Sequence, residues 1–179
     1  MKLADEINIE LQKHLRSKQH EFVLPNFYFG GFEADVFSVL RSGYTEEYEI
    51  KIAKADFKKD FSKTEIAERR WNKELGKAVT IRQGNKKHDL ILQGKRTNRF
   101  YFVVPDGLID LTEIPEHAGL IYFKDGWRFN YAKPAKLLHK NKIDFTKRGL
   151  LYNIANRCYS RYIHINWKMR MEKLNAPNR

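Results

Sequence analysis

Leu3, Ile7, Leu11 and Leu15 recur every fourth residue between Lys2 and Ser17, the single apolar stripe of an amphipathic helix. The period then changes. Phe22 to Phe29 and Glu33 to Leu40 are rich in β-branched and aromatic residues, and Gly30-Gly31 between them lets the chain bend sharply. After a turn at Arg41-Ser42-Gly43, Tyr48, Ile50 and Ile52 alternate with Glu47, Glu49 and Lys51, which predicts a half-buried strand over Tyr44 to Ile52. Phe57 and Phe61 stand four apart among charges, so a surface helix is expected over Lys54 to Phe61. From Thr64 to Asn85 the chain is highly charged with isolated apolar residues (Ile66, Trp71, Leu75), and this segment reads as a helical insertion or lid. Arg99 to Val104 is a nearly continuous apolar run ended by Pro105-Asp106-Gly107, the pattern of a central strand covered on both faces. Gly119 to Phe123 and Trp127 to Tyr131 flank Lys124-Asp125-Gly126, a hairpin signal. A long final helix follows from Thr146 to Lys173, with Leu151, Ile154, Cys158, Tyr162, Ile165 and Met169 as its apolar seam.

The order α-β-β-β-α-β-α-β-β predicts an α/β domain with a central mixed sheet flanked by helices. A chain of 179 residues with 42% hydrophobic content can bury one ordinary core. The expected division is a domain over 1–140, carrying the charged insertion at about 64–87, and a basic helical extension over 141–179. No apolar run approaches the roughly 18 residues of a membrane span, so the protein is expected in the cytoplasm, associated with the nucleoid or in an infected host. The single Cys158 has no disulfide partner in the chain and reads as a buried small apolar residue.

Charge narrows the partner. Thirty-four Lys+Arg against 22 Asp+Glu give +12, which implies a polyanion. Residues 133–179 hold twelve bases against two acids, so this tail carries +10. Arg157, Arg161, His164 and Lys168 fall on one helical stripe beside the seam and are the expected phosphate contacts.

One constellation carries chemistry. Glu49 and Lys51, two apart on a strand, project from the same face, and an antiparallel neighbour can bring Asp35 beside them. Two carboxylates suit a hard divalent ion such as Mg²⁺ or Mn²⁺, which also takes a phosphate oxygen. Lysine can orient the attacking hydroxide or stabilise the transition state. Taken alone, the same residues also suit an exposed strand acid and a solvent-facing ion pair. Glu33 and Glu47 read as solvated charges, His88 as structural, and Pro25-Asn26 as a strand-entry turn. Phe27, Tyr28 and Phe29 cannot all face one side of a strand, so they read as core rather than a base-stacking platform. There is no Gly-rich phosphate loop, Cys/His zinc spacing or Gly-x-Ser-x-Gly elbow.

Asp35 followed by Glu49-Ile50-Lys51 resembles the signature of the PD-(D/E)XK nuclease superfamily, an acid followed by (D/E)-X-K on the next strand. Leu24-Pro25-Asn26, Glu33-Ala34-Asp35, Ser42-Gly43-Tyr44, Ala55-Asp56-Phe57, Phe100 to Pro105 and His117 to Ile121 are similar to small MmcB-type DNA-repair nucleases of bacteria and phages. The similarity covers roughly residues 4 to 138 and does not extend to the charged insertion or the basic tail. It implies a restriction-endonuclease-like core and a Mg²⁺- or Mn²⁺-dependent DNA nuclease of repair, recombination or phage DNA processing. Asp35, Glu49 and Lys51 would be catalytic, and Asp35, Glu49, Glu6 and the Ile50 backbone carbonyl would hold the metal. Duplex cleavage by one such site needs a second subunit or a second event, so a homodimer is among the expected states. The alternative is a DNA-binding module or subunit that keeps the fold without catalysis, and a further one is a basic protein acting on RNA or a protein partner.

Overall fold

A computed structural model describes residues 2–18, 20–144 and 148–174, without the side chains of 67, 68, 81, 148, 150, 173 and 174. The chain divides into two compact units, Met1–Ile143 and Asp144–Arg179.

In the first unit, α1 (Leu3–Ser17) buries Ile7, Leu11 and Leu15 completely, the stripe its spacing predicts. Strands β1 (His20–Phe29) and β2 (Phe32–Leu40) form a hairpin, and β2 pairs antiparallel with β3 (Thr45–Ile50). The first turn needs left-handed backbone at two successive residues, which Gly30 and Gly31 supply at φ +56° and +88°. The chain continues through α2 (Lys54–Asp60), β4 (Thr64–Asn72), β5 (Lys77–Lys86) and the short α3 (Lys87–Leu92) to β6 (Arg99–Pro105). A 3₁₀ turn at Leu111–Glu113 leads to β7 (Ala118–Lys124), which makes a hairpin with β8 (Arg128–Lys133).

The main sheet has the order β1-β2-β3-β6-β7-β8, with β3, β6 and β7 parallel and the outer pairings antiparallel. It is therefore a central mixed sheet with helices on both sides. Alternation along the strands divides the interior in two. Val36, Tyr48, Ile50, Tyr101, Val103 and Ile121 pack with α1 on one face. Phe100, Phe102, Val104 and Leu120 pack with Phe57 of α2 and Ile91 of α3 on the other. Phe100 to Val104 are buried on both sides of β6, as expected of a central strand.

Three expectations are corrected. Residues 64–86 are not helical: β4 and β5 form a separate two-stranded antiparallel ribbon. Arg69 pairs with Thr80, Arg70 with Val79 and Trp71 with Ala78, and Gly76 at φ +58° lies in the connecting turn. Pro25-Asn26 lies inside β1 rather than at its start, with Asn26 at φ +50°. Between β6 and β7 there is only the 3₁₀ turn, and the helix expected there is replaced by α3 ahead of β6.

In the second unit, α4 (Arg148–Leu174) spans 27 residues, about 40 Å at 1.5 Å per residue. Thr146 lies outside the described residues. Arg157, Arg161, His164 and Lys168 share one stripe as expected; the first two are half-buried and the last two exposed. Cys158 is exposed, against expectation. The predicted seam is not a covered stripe, for Tyr162, Ile165 and Met169 are exposed, as are Tyr152, Tyr159, Ile163 and Trp167 at other positions round the helix.

Candidate active site

The site is built on β3. Because side chains alternate along a strand, Tyr48 and Ile50 enter the α1 side of the sheet while Glu47, Glu49 and Lys51 enter the α2/α3 side. In the parallel pairing with β6, Glu47 lies beside Phe100 and Glu49 beside Phe102. The ladder between β2 and β3 runs from Val39–Thr45 to Val36–Tyr48, and its next step brings Asp35 alongside Glu49. There the Asp35 side chain takes over from the ladder: its Oδ2 accepts the Ile50 amide at 2.8 Å, which leaves Oδ1 outside that bond. From α1, Asn8 donates to the Asp35 backbone carbonyl at 3.0 Å and fixes the strand on that side.

Glu49 is 1% exposed and Lys51 3%. Lys51 Nζ bridges Glu49 Oε2 at 2.7 Å and Asp60 Oδ1, from the end of α2, at 2.9 Å. Lys63 reaches the same two oxygens at 3.2 and 2.6 Å. Lys87 Nζ lies 2.6 Å from Glu49 Oε1 and 3.0 Å from Glu47 Oε1. Arg96 holds the other Glu47 oxygen at 2.8 Å and donates to the carbonyls of Phe29 and Gly30, pinning the β1–β2 turn to β3. The charges balance: Asp35, Glu47, Glu49 and Asp60 face Lys51, Lys63, Lys87 and Arg96. Beyond Asp60 the polar chain continues, with His88 Nε2 3.0 Å from Asp60 Oδ2 and His88 Nδ1 3.0 Å from His117 Nε2.

The electrostatics separate the two strand acids. Burial and the neighbouring Glu49 carboxylate push Asp35 up to about 6, against the Ile50 amide and the more distant lysines. Burial acts the same way on Glu49, but Lys87 and Lys51 outweigh it and hold this carboxyl below its ordinary value. For Asp60 burial is again outweighed, here by the His88 hydrogen bond and the three ammoniums. Burial would neutralise Lys51, yet Glu49 and Asp60 keep it raised, so it stays a cation through the neutral range. His117 is pushed down to about 4 by burial and by His88 and Lys133.

Asp35, Glu49 and Lys51 are thus brought together. Glu6 is not brought to them: α1 covers the opposite face of the sheet, and Glu6 Oε1 sits 3.6 Å from where a Cβ on Gly126 of the β7–β8 turn would stand. Among the described residues no three His, Cys, Asp or Glu side chains form a ready metal-binding group. Glu33 is exposed as expected, but Glu47 is fully buried, because Arg96 and Lys87 neutralise it. Tyr28 is exposed while Phe27 packs tilted against Phe37, so those aromatics do not form one platform. Asp60, Lys63, Lys87 and Arg96 escaped sequence reasoning. Their only signal is that Lys63 and Lys87 bracket the charged insertion.

A divalent ion asks for hard oxygen donors. Asp35 and Glu49 provide carboxylates, and the Ile50 carbonyl leaves β3 on the same side as the Ile50 amide, toward Asp35. Asp35 is raised by burial and by the neighbouring Glu49 carboxylate, whereas Lys87 and Lys51 hold Glu49 below its ordinary value. Of the three ammoniums on Glu49, Lys51 and Lys87 are buried, whereas the Lys63 side chain is 38% exposed and reaches in from the surface. Asp35, Glu49 and the Ile50 carbonyl are the oxygen donors that would hold a divalent ion, and Lys63 is the ammonium on Glu49 nearest the surface.

No family model matches the chain, and no curated protein matches it either. Among solved structures, the chain is similar to the SPO1766 protein of unknown function from Silicibacter pomeroyi, at 16% identity and a TM-score of 0.55 over 99% of this chain and 94% of that one. At that identity the likeness is one of fold.

Proposed function

We propose that the chain hydrolyses phosphodiester bonds of DNA, using Mg²⁺ or Mn²⁺ held by Asp35, Glu49 and the Ile50 carbonyl. The observation that carries this reading is the Asp35 carboxyl lying on the Ile50 amide beside Glu49, with Lys51 bound to Glu49 on the same face. A bound divalent ion supplies a water of lowered pKa and positive charge against the phosphate. Lys51, held between Glu49 and Asp60, is a fixed cation and not a general base, so its part is to stabilise charge that develops on the phosphate oxygens. Asp60 positions that ammonium. The net charge of +12 and the Arg157, Arg161, His164 and Lys168 stripe supply affinity for the DNA backbone.

The test is nicking of supercoiled plasmid with Mn²⁺ or Mg²⁺. Wild type should nick, and Asp35→Ala and Glu49→Ala should not, while both still bind DNA. Glu49→Ala strands buried ammoniums and loses stability as Lys87→Met does, so circular dichroism checks that it is folded. Undiminished nicking by either variant would remove this site from the reaction. A second reading, a DNA-binding module that keeps the arrangement without catalysis, is favoured by the near-complete burial of Glu49 under three ammoniums. Tight DNA binding by wild type, with no nicking under any divalent ion, would decide for it.

A further inference from the structure

The β4–β5 ribbon is the part of the first unit that neither core uses. Its nine-residue strand β4 runs about 30 Å at 3.3 Å per residue, and from Arg69 to Ala78 every residue but Asn72 is exposed. Trp71 is 63% exposed. A two-stranded hairpin in water is marginal on its own, so this exposure does nothing for folding.

Charge is distributed along the ribbon in a particular way. Of its acids, Glu65 is engaged at the root. Glu65 Oε1 accepts the Asn85 amide at 3.0 Å and the Asn85 side chain at 2.7 Å. Its side chain lies where a Cβ on Gly84 would come within 2.3 Å and one on Gly31 within 2.7 Å, so those two glycines make the room in which it docks the root on the β1–β2 turn. The outer part, residues 68–82, holds five bases (Arg69, Arg70, Lys73, Lys77, Arg82) against two acids, Glu74 and Glu68, the latter opposite Arg82 in the register. The bases occupy both faces: Arg69 lies two residues from Trp71 and on its face, and Lys77, opposite Asn72, lies on the reverse.

The root closes on the carboxylate cluster. Lys63 immediately precedes β4 and Lys87 immediately follows β5; the Lys87 amide donates to the Lys63 carbonyl at 2.9 Å, and both ammoniums hold Glu49. The arm and the site are joined at one point.

We infer that the β4–β5 ribbon is an arm that grips the phosphate backbone of a DNA duplex and leads it to the Asp35–Glu49 site. The choice of polyanion rests on the phosphodiester reading above. A duplex suits the arm because its major groove, about 12 Å wide, admits a two-stranded ribbon and offers phosphates to cations on either face.

The experiment is fluorescence anisotropy of a labelled duplex titrated with the full chain in EDTA, from about 50 to about 200 mM salt. No metal is present and no cleavage is read, so the result is independent of whether the site hydrolyses anything. Arg69→Ala/Lys77→Ala/Arg82→Ala should weaken binding at least about tenfold at the lowest salt and flatten the log–log salt slope by about 2 to 3, at about 0.9 per lost contact. Lys73→Glu, one change in the turn, should act in the same direction, which guards against misfolding of the triple variant. Circular dichroism and the unfolding midpoint should match wild type for both. An unchanged affinity and slope in both variants would overturn the inference, and so would losses confined to binding of anionic phosphatidylserine vesicles. Loss of DNA binding by the ribbon variants in EDTA, together with no nicking by wild type under any divalent ion, would leave the arm standing and sink only the hydrolytic reading.

Discussion

The two faces of β3 are both buried and differ in chemistry: the first is apolar except for Glu46, which accepts from the Tyr48 hydroxyl and pairs with Arg99, and the second is charged from Glu47 to Lys51. On one, Tyr48 and Ile50 join an apolar cluster with Ile7, Leu11 and Leu15 of α1. On the other, Glu47, Glu49 and Lys51 meet Asp60, Lys63, Lys87 and Arg96. The apolar face is stabilised by area removed from water, roughly 25 cal/mol per Å². The charged face loses hydration on burial and regains it only through close pairing, which often leaves little net gain. A strand that places ion pairs where Val and Ile would pack more simply is shaped by something other than stability. That contrast is the structural ground for regarding this face as the site.

The contrast can be broken in several ways, and the largest effect should come from the chemistry. Glu49→Ala should lower the metal-dependent nicking rate by at least about a thousandfold, as measured on plasmid, whereas Leu11→Ala on the other face should leave the rate of the folded protein nearly unchanged. Leu11→Ala should instead cost about 2–5 kcal/mol of stability by denaturant unfolding, as a buried Leu truncated to a cavity does. Lys87→Met should cost about 3–5 kcal/mol, because Glu47 and Glu49 would lose an ammonium they share in a place without water. If Lys87→Met were neutral, the charged face would be wetter than its burial indicates.

The smallest effect concerns Asp35. Its folded pKa of about 6 lies above the ordinary 3.8, so between those values the folded chain holds a proton that the unfolded chain has released. Its contribution therefore favours folding most at low pH and is lost as pH rises through about 6. Asp35→Asn, which keeps an acceptor for the Ile50 amide, should raise the unfolding midpoint by a few degrees at pH 7.5 and by less at pH 4. An equal gain at both pH values would mean that neither burial nor Glu49 raises the Asp35 carboxyl in the folded chain.

What the chain disclosed in advance follows from which signals are periodic. Ile7, Leu11 and Leu15 at helical spacing, the Gly30-Gly31 turn, the apolar run of β6 and the Asp125-Gly126 hairpin are local patterns, and each produced its element. The ribbon was misread because its strands have no buried face, so Ile66, Trp71 and Leu75 carry no period-2 alternation of burial. Within the site, Glu49 and Lys51 were legible from spacing on one strand. Asp60, Lys87 and Arg96 were not, since a charge that will be buried against an opposite charge looks in sequence like any solvated one. Glu47 was read as solvated for that reason. Glu6 differs: its helix is legible from the apolar stripe, but which face of the sheet α1 covers is fixed by long-range pairing and not by helix periodicity.

The most direct test is a calorimetric titration of Mn²⁺ into the metal-free protein at pH 7.5, with wild type, Asp35→Ala and Lys51→Ala compared. A saturable site is expected in wild type, with its loss in Asp35→Ala and its retention in Lys51→Ala, whose ammonium is no ligand. Absence of any saturable Mn²⁺ binding in wild type, or binding unchanged in Asp35→Ala, would contradict the claim that this carboxylate pair is a metal centre.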